Sequence, residues 1–330
     1  MRILVTGGCG FIGSNFVRHV LRTHPEDSVT NFDRLTYAGN PSNLADVDTD
    51  PRYSFVKGDI CDAAAVREAL AGHDAVVNFA AETHVDRSIL GAGEFVRTNV
   101  AGVQTLLDAV RELGIGRYVQ ISTDETYGSR AEGSFVETDA LAPNNPYSAS
   151  KAGADLLVRS YHVTHGSPVL VVRPSNNYGP YQFPEKVLPL FVTNLIDGFP
   201  VPLYGDGGNV RDWLFVEDNA AAIDTVLRAG SEGEIYNVTP KQEVTNLELT
   251  RKVLDAFGAG EDMIRRVPDR PGHDRRYSID GSKVRALGWT PQVALDAGLA
   301  RTIAWYRDNE SWWRPLKAAA KDAALPTTRS

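Results

Sequence analysis

The chain reads as an α/β protein: a Rossmann-type, doubly wound parallel sheet with a smaller α/β substrate-binding domain. Three observations predict this. Short Val/Ile/Leu-rich runs alternate with helical patterns through the first half of the 330 residues, as in a parallel sheet covered on both faces. The first of these runs breaks into a glycine-rich turn, 7-GGCGFIG-13. After about Ser175 the texture changes to proline- and glycine-rich loops such as NNYGPYQFPEK and VPDRPGHDRR. Long loops in a compact chain are more often functional than idle.

In order, MRILVTG reads as a strand, FIGSNFVRHVLRTH as a helix and SVTNFD as a second strand. A third strand precedes 57-KGDI-60, followed by the helix AAAVREALAG and the strand AVVNFAA. VAGVQTLLDAVRELG is the next helix, RYVQIST a strand, YSASKAGADLLVRSYHVTHG a helix and PVLVVRPS a strand. In the second half, 212-DWLFVEDNAAAIDTVLRAG-230 reads as a strand and helix that return to the main sheet. The alanine-rich tail, 317-KAAAKDAALPTTRS-330, reads as a helix that frays. The expected division is a dinucleotide-binding domain over 1–175 and a mainly substrate-binding domain over 176–330.

Composition narrows the function. Hydrophobic content of 42% and charged content of 23% suit a soluble globular chain. No apolar run reaches the length of a membrane helix, and MRILVTGG is too short in its apolar stretch for a secretory signal. Two cysteines, Cys9 and Cys61, give neither a disulfide framework nor a zinc spacing. No metal is therefore expected, and a reducing cytoplasm is the expected location. The net charge of −8 argues against broad nucleic-acid binding.

Gly7, Gly10 and Gly13 stand where a first strand turns into a helix. Glycine there allows the tight turn and lets backbone approach a pyrophosphate. Asp33 follows at the end of the second strand, 20 residues past Gly13. A carboxylate there can take both ribose hydroxyls and would repel a 2′-phosphate, which favours NAD over NADP. Asp59, after the third strand, is a candidate for the adenine edge. In 147-YSASK-151, Tyr147 and Lys151 are four apart and share a helix face. A tyrosine is a poor base at neutral pH, and a nearby ammonium is expected to favour its phenolate. With Ser122 and Thr123 at the preceding strand end, the pair can take a proton from an alcohol while a hydride leaves its carbon.

These motifs resemble the extended short-chain dehydrogenase/reductases and, within that superfamily, the dTDP-glucose 4,6-dehydratases. The resemblance runs from 3-ILVTGGCGFIGSN-15 to about Trp305. It is carried by 33-DRLTYAGN-40, 78-NFAAETHVDRS-88, 122-STDETYG-128, 147-YSASK-151, 176-NNYGPYQFPEK-186, 205-GDGGNVRDW-213 and 268-PDRPGHDRRY-277. The glycine turn and Tyr-x-x-x-Lys mark only the superfamily; the run 122-STDE-125 and the last segment are more specific.

The resemblance implies tightly bound NAD, regenerated each cycle, in a cradle of Gly7, Gly10, Phe11, Ile12 and Gly13. Leu35, Thr36, Gly39, Ile60, Phe79, Ala80, Ala81, Thr98, Tyr147, Lys151 and Asn176 would also bind the cofactor, with Thr83 between cofactor and substrate. It implies that Glu125 removes a C5 proton and Asp124 protonates the departing C6 oxygen, after Thr123, Tyr147 and Lys151 have served oxidation at C4. For the sugar nucleotide, dTDP-glucose by resemblance, it implies Asn176, Asn177, Glu185, Lys186, Val187, Pro202, Tyr204, Asn246, His273 and Tyr277. Arg211 and Arg270 suit the pyrophosphate, because guanidinium forks match phosphate oxygens. His84 and Asp86 read as structural or substrate-positioning. A homodimer through helices near 100–113 and 150–165 is also implied. A UDP-hexose 4,6-dehydratase, a 4-epimerase and a non-catalytic NAD-binding sensor share the superfamily motifs. An epimerase or sensor has no use for Asp124 and Glu125, which sit side by side; on an extended strand they would face opposite ways.

Overall fold

The computed structural model describes residues 1–269 and 271–324. The chain begins with β1 (Arg2–Thr6), α1 (Phe11–Thr23), β2 (Ser28–Asp33), β3 (Tyr53–Lys57), α2 (Ala63–Leu70) and β4 (Ala75–Asn78). After α3 (Val85–Leu90) comes α4 (Gly93–Val96), which runs through a π-helical turn at Arg97–Ala101 into α5 (Gly102–Leu113). Then follow β5 (Tyr118–Ile121), α6 (Pro146–His165), β6 (Val169–Pro174), β7 (Asn176–Tyr178), α7 (Val187–Ile196), β8 (Val201–Tyr204) and β9 (Val210–Phe215). The remainder is α8 (Val216–Ala229), β10 (Ile235–Val238), β11 (Glu243–Thr245), α9 (Asn246–Phe257), β12 (Ile264–Val267), α10 (Ser282–Ala286), α11 (Leu295–Asp308) and α12 (Glu310–Ala324). The last six residues of the tail lie outside the described residues.

Seven strands form the main sheet in the order β10-β6-β5-β4-β1-β2-β3, every pair parallel. Both faces are apolar, which is why the strands read as unbroken Val/Ile/Leu runs. Val5, Phe16, Val20, Ile223 and Leu227 pack on one side beneath α1 and α8; Leu4, Leu70, Leu106, Val110 and Val158 pack on the other beneath α2, α5 and α6. Of the segment 212–230, the strand pairs with β7 and β11 in a small three-stranded sheet, whereas the helix packs on α1. The element that rejoins the main sheet is β10, beside β6. A third core of Phe191, Trp213, Leu249, Leu299 and Trp313 lies under α7, α9 and α11.

The strand order reverses between β1 and β4, and such a switch opens a crevice at the strands' carboxyl ends. Two glycines let the chain line it closely. Gly7 has φ +68, and a Cβ on it would come 2.6 Å from the backbone nitrogen of Ala80; a Cβ on Gly13 would come 2.4 Å from the carbonyl oxygen of Gly7. Any side chain at either position would push β1, α1 and β4 apart.

A buried ion pair braces the crevice floor. Arg173 of β6 donates from Nε to Asp155 of α6 at 2.8 Å and from Nη1 to the Tyr127 hydroxyl at 2.7 Å, and Asp155 also accepts from Ser122 at 2.9 Å. Removing one partner leaves the other charge buried and unpaired, a loss of about 3–5 kcal/mol. Arg173→Met should therefore lower the urea midpoint by that equivalent with the slope unchanged; an unaltered midpoint would show that the pair is dispensable.

Candidate active site

One cleft of about 490 Å³ runs from the β1–α1 turn across the strand ends to α7 and the 202–213 region. Gly10 caps α1 without a side-chain bond, so the first-turn N–H groups of Phe11, Ile12 and Gly13 are left for a ligand. These three line the cleft together with Gly7 and Gly10. Asp33 ends β2 there; its Oδ2 accepts from the Cys9 N–H at 2.9 Å and its Oδ1 from the Leu35 N–H at 2.8 Å. Burial raises its pKa, and those two backbone bonds oppose the shift. Each oxygen keeps a second lone pair for a hydroxyl.

Thr36, Gly39, Asp59, Ile60, Phe79, Ala80, Ala81, Thr83 and Thr98 also line the cleft. Leu35 does not: at φ +60 it turns the chain so that its N–H holds Asp33. Asp59 is already engaged by the Cys61 N–H at 2.9 Å and by Arg97 at 2.8 Å, so its side chain anchors the loop as well as facing the cleft. The donor-rich helix start, the buried carboxylate and the length of the cleft fit a dinucleotide.

The strand β5 stops at Ile121, and the chain turns at once into a 3₁₀ helix over Asp124–Tyr127 with Thr123 as its N-cap. Neighbours on such a turn are about 120° apart rather than opposed, and both Asp124 and Glu125 face the cleft. Thr123 Oγ1 accepts from the Glu125 N–H and donates to Asp124 Oδ1, each at 3.3 Å. Asp124 is only 2% exposed, and its Oδ2 has no partner. Burial, and then the charge of Glu125, push its pKa well above the usual carboxyl range, which favours the protonated form. Glu125 Oε2 accepts from the Ser148 hydroxyl at 3.1 Å.

Tyr147 and Lys151 meet these residues from α6. Lys151 is expected to hold the phenol down, and other groups act on the phenol more strongly. Burial, then Glu125 and Asp124, push the Tyr147 phenol up, while a hydrogen bond to Thr123 pulls the other way. The Lys151 ammonium instead donates to the carbonyl of Ile121 at 2.6 Å. Burial lowers its pKa to about 8, with Asp155 opposing.

At the far end Asn176, Asn177, Glu185, Lys186, Val187, Pro202, Tyr204, Arg211, Asn246 and His273 all line the cleft. Tyr277 does not. Its ring lies 4.1 Å beneath the Arg211 guanidinium and its hydroxyl donates to Asp274 at 2.7 Å, so it supports Arg211 from behind. Arg211 itself is anchored by the carbonyls of Val210 and Asp274, at 2.7 and 2.9 Å. Arg270 lies outside the described residues. His84 and Asp86 line the cleft, and His84 Nε2 lies 3.6 Å from Glu185, which also takes Arg87 at 3.2 Å. Reading the sequence missed Arg34, Tyr37 and Asn40, although all three stand in 33-DRLTYAGN-40. It also missed Trp312 and Leu316 of α12, which close one wall and lie beyond every motif quoted. Among the described residues, buried polar atoms without a partner gather here: Thr98 Oγ1, Asp124 Oδ2, Asn176 Oδ1 and Glu185 Oε1.

Known proteins share this arrangement. The family model described as GDP-mannose 4,6 dehydratase matches residues 4–302. The dTDP-glucose 4,6-dehydratase of Streptomyces niveus is 55% identical, over 99% of this chain and 98% of its own. The solved structure of DesIV, a dTDP-glucose 4,6-dehydratase of Streptomyces venezuelae with NAD bound, superposes with a TM-score of 0.94 at 56% identity, over 96% of this chain and all of that one. The UDP-glucose 4-epimerase of Thermus thermophilus, in complex with NAD, superposes with a TM-score of 0.86 at 32% identity, over 94% of this chain and 100% of its own. The chain belongs to the GDP-mannose 4,6-dehydratase family, in the group that holds the dTDP-glucose 4,6-dehydratases.

Proposed function

We propose that this chain is an NAD-dependent hydro-lyase that converts dTDP-glucose to dTDP-4-keto-6-deoxyglucose. The observation that carries the reading is the placement of Asp124, buried with one oxygen unpartnered, one residue from Glu125 and in the same cleft as Tyr147. An alcohol oxidation alone needs neither carboxyl group; loss of water across C5 and C6 needs both. The family's 4-epimerases are the nearest alternative, and they have no step for this pair.

NAD, which the β1–α1 turn and Asp33 would hold, would supply an acceptor for the C4 hydride and its return to C6, and a cationic ring that favours the Tyr147 phenolate. Tyr147 takes the proton of the C4 hydroxyl, with Thr123 bonding the same oxygen. The ketone so formed acidifies the C5 proton. Glu125 takes that proton, and Asp124 gives its own to the C6 oxygen, which leaves as water. The proton on Glu125 then returns to C5. General acid–base help of this kind is worth about 10²- to 10⁴-fold per group. Closing the sugar away from water keeps the reactive ketone in the cycle.

Residues 1–175 would hold NAD, and 176–330 mainly the sugar nucleotide, with Arg211 and Arg270 on the pyrophosphate. Leu113, Leu156 and Val163 are exposed on α5 and α6, which supports a homodimer through that face. No helix among the described residues is long and apolar enough to cross a membrane, and both cysteines are free thiols; a cytoplasmic location fits.

Turnover is read from the alkali-induced chromophore of 4-keto-6-deoxy sugar nucleotides, with dTDP-glucose set against UDP-glucose and UDP-N-acetylglucosamine. Product from dTDP-glucose is expected, and no signal with any of them would overturn the reading. Glu125→Gln should still oxidise substrate but stall before elimination, seen as reduced cofactor that stays on the enzyme; normal turnover would show that the base lies elsewhere.

Two further outcomes come from the geometry. Ser148→Ala removes the hydroxyl on Glu125, and a hydrogen bond to a charged group contributes about 1.5–3 kcal/mol. Elimination should slow about ten- to a hundredfold while single-turnover oxidation keeps its rate; equal loss in both steps would make Ser148 merely structural. Because Asp124 acts in its protonated form, elimination should fall as pH rises past its raised pKa. Oxidation, which needs the Tyr147 phenolate, should instead rise with pH. Asp124→Asn should abolish the alkaline limb of elimination together with most of its rate.

A further inference from the structure

We propose that His19, His24 and Asp224 form a second, non-catalytic site that takes one divalent transition-metal ion of the zinc class. His19 projects from α1, His24 follows that helix directly, and Asp224 lies on α8, the neighbouring helix on the same face of the sheet. None of the three lines the active-site cleft.

The geometry points to a single bound ion. The ligand atoms of the three residues all lie within 4.8 Å of one another. His24 Nε2 is 2.7 Å and His19 Nε2 3.5 Å from the same oxygen, Asp224 Oδ2. Around a tetrahedral ion with bonds of about 2.0–2.1 Å, ligand atoms stand roughly 3.3 Å apart, so small side-chain rotations bring this trio onto one centre. Two ring nitrogens converge on one carboxylate oxygen, and each can hydrogen-bond it only by carrying a proton there. One cation replaces both protons.

The rest of the carboxylate is already oriented. Asp224 Oδ1 accepts from Arg228 Nε at 2.8 Å, and Arg228 is itself held by Asp27 at 2.6 Å. Asp224 is thus presented through its other oxygen, as outer partners orient ligands in metal sites. Asp27 is shared between Arg228 and the N-terminal ammonium. The side chains of His19, His24 and Asp224 are 13%, 29% and 11% exposed, which leaves an entry path and room for a water as fourth ligand. Two imidazoles with one carboxylate suit zinc, cobalt or nickel and suit calcium or magnesium poorly. Bound there, the ion would clasp α1 to α8.

The test uses the full-length, untagged, chelator-stripped protein. Equilibrium dialysis with Zn²⁺ should show one saturable equivalent, with Ca²⁺ and Mg²⁺ failing to compete, and Zn²⁺ should raise the melting temperature. Co²⁺ should give the visible bands of a tetrahedral site without the thiolate charge-transfer band that Cys9 or Cys61 would add. The His19→Ala/His24→Ala variant, shown folded by circular dichroism, should lose the equivalent and the thermal shift while keeping sugar-nucleotide turnover. Asp224→Asn, which keeps shape and loses charge, should weaken binding at least tenfold. No saturable binding by the parent protein, or equal binding by the double variant, would overturn the proposal.

Discussion

The chemistry of the cleft depends on where β5 stops. At Ile121 the carbonyl oxygen is taken by the Lys151 ammonium at 2.6 Å, and the backbone leaves the extended path after Thr123. Thr123 then caps a 3₁₀ turn whose geometry swings Asp124 and Glu125 to the same side. One more pair of strand residues would send one of the two carboxyl groups into the packing beneath the sheet. Lys151 therefore acts first as a structural donor across α6 and β5, and its cationic charge reaches the cleft from that fixed place. Asp155, which accepts directly from both Ser122 and Arg173, ties the corner together.

Two adjacent carboxyl groups in a dry place would be costly if both were ionised. The structure avoids the cost by making them unequal. Asp124 is buried, with one oxygen unpartnered and the other only weakly engaged by Thr123. Glu125 is less buried and takes a hydroxyl from Ser148. Burial favours the neutral form of Asp124, and the charge of its neighbour adds to that shift. The proposed acid and base roles need such a difference in environment, and one residue of offset along the chain produces it.

Much of this was legible in the sequence because the physics is local. Gly7 and Gly13 are demanded by close backbone approach, Asp33 by the end of β2, and the strands by their unbroken apolar runs. The reach of Lys151 was not legible: four-residue spacing puts it on the face of Tyr147, but what it bonds depends on a strand 30 residues earlier. Leu35 and Tyr277 look like ligand contacts by position, yet they serve Asp33 and Arg211 from behind. Ser148 sat inside a motif as a spacer and became a partner of Glu125 only through folding. The π-helical turn that presents Thr98 has no signature in an otherwise ordinary helical run. Trp312 reaches the cleft because α12 folds back so that its indole donates to Asn43 at 2.9 Å, a contact across 269 residues that no local pattern encodes.

The distribution of unpartnered polar atoms ties stability to function. A buried oxygen without a partner costs about 1–3 kcal/mol, and folds normally remove such atoms. Here Thr98, Asp124, Asn176 and Glu185 keep theirs along one cleft. The surrounding cores are apolar and the Arg173–Asp155 corner is rigid, so the chain cannot collapse to satisfy these atoms itself. A polar ligand of matching length relieves them together, and the free energy withheld in folding becomes available for binding. The same scaffold can therefore be stable in its cores and incomplete at its strand ends, where several of the unpartnered polar atoms among the described residues line one cleft.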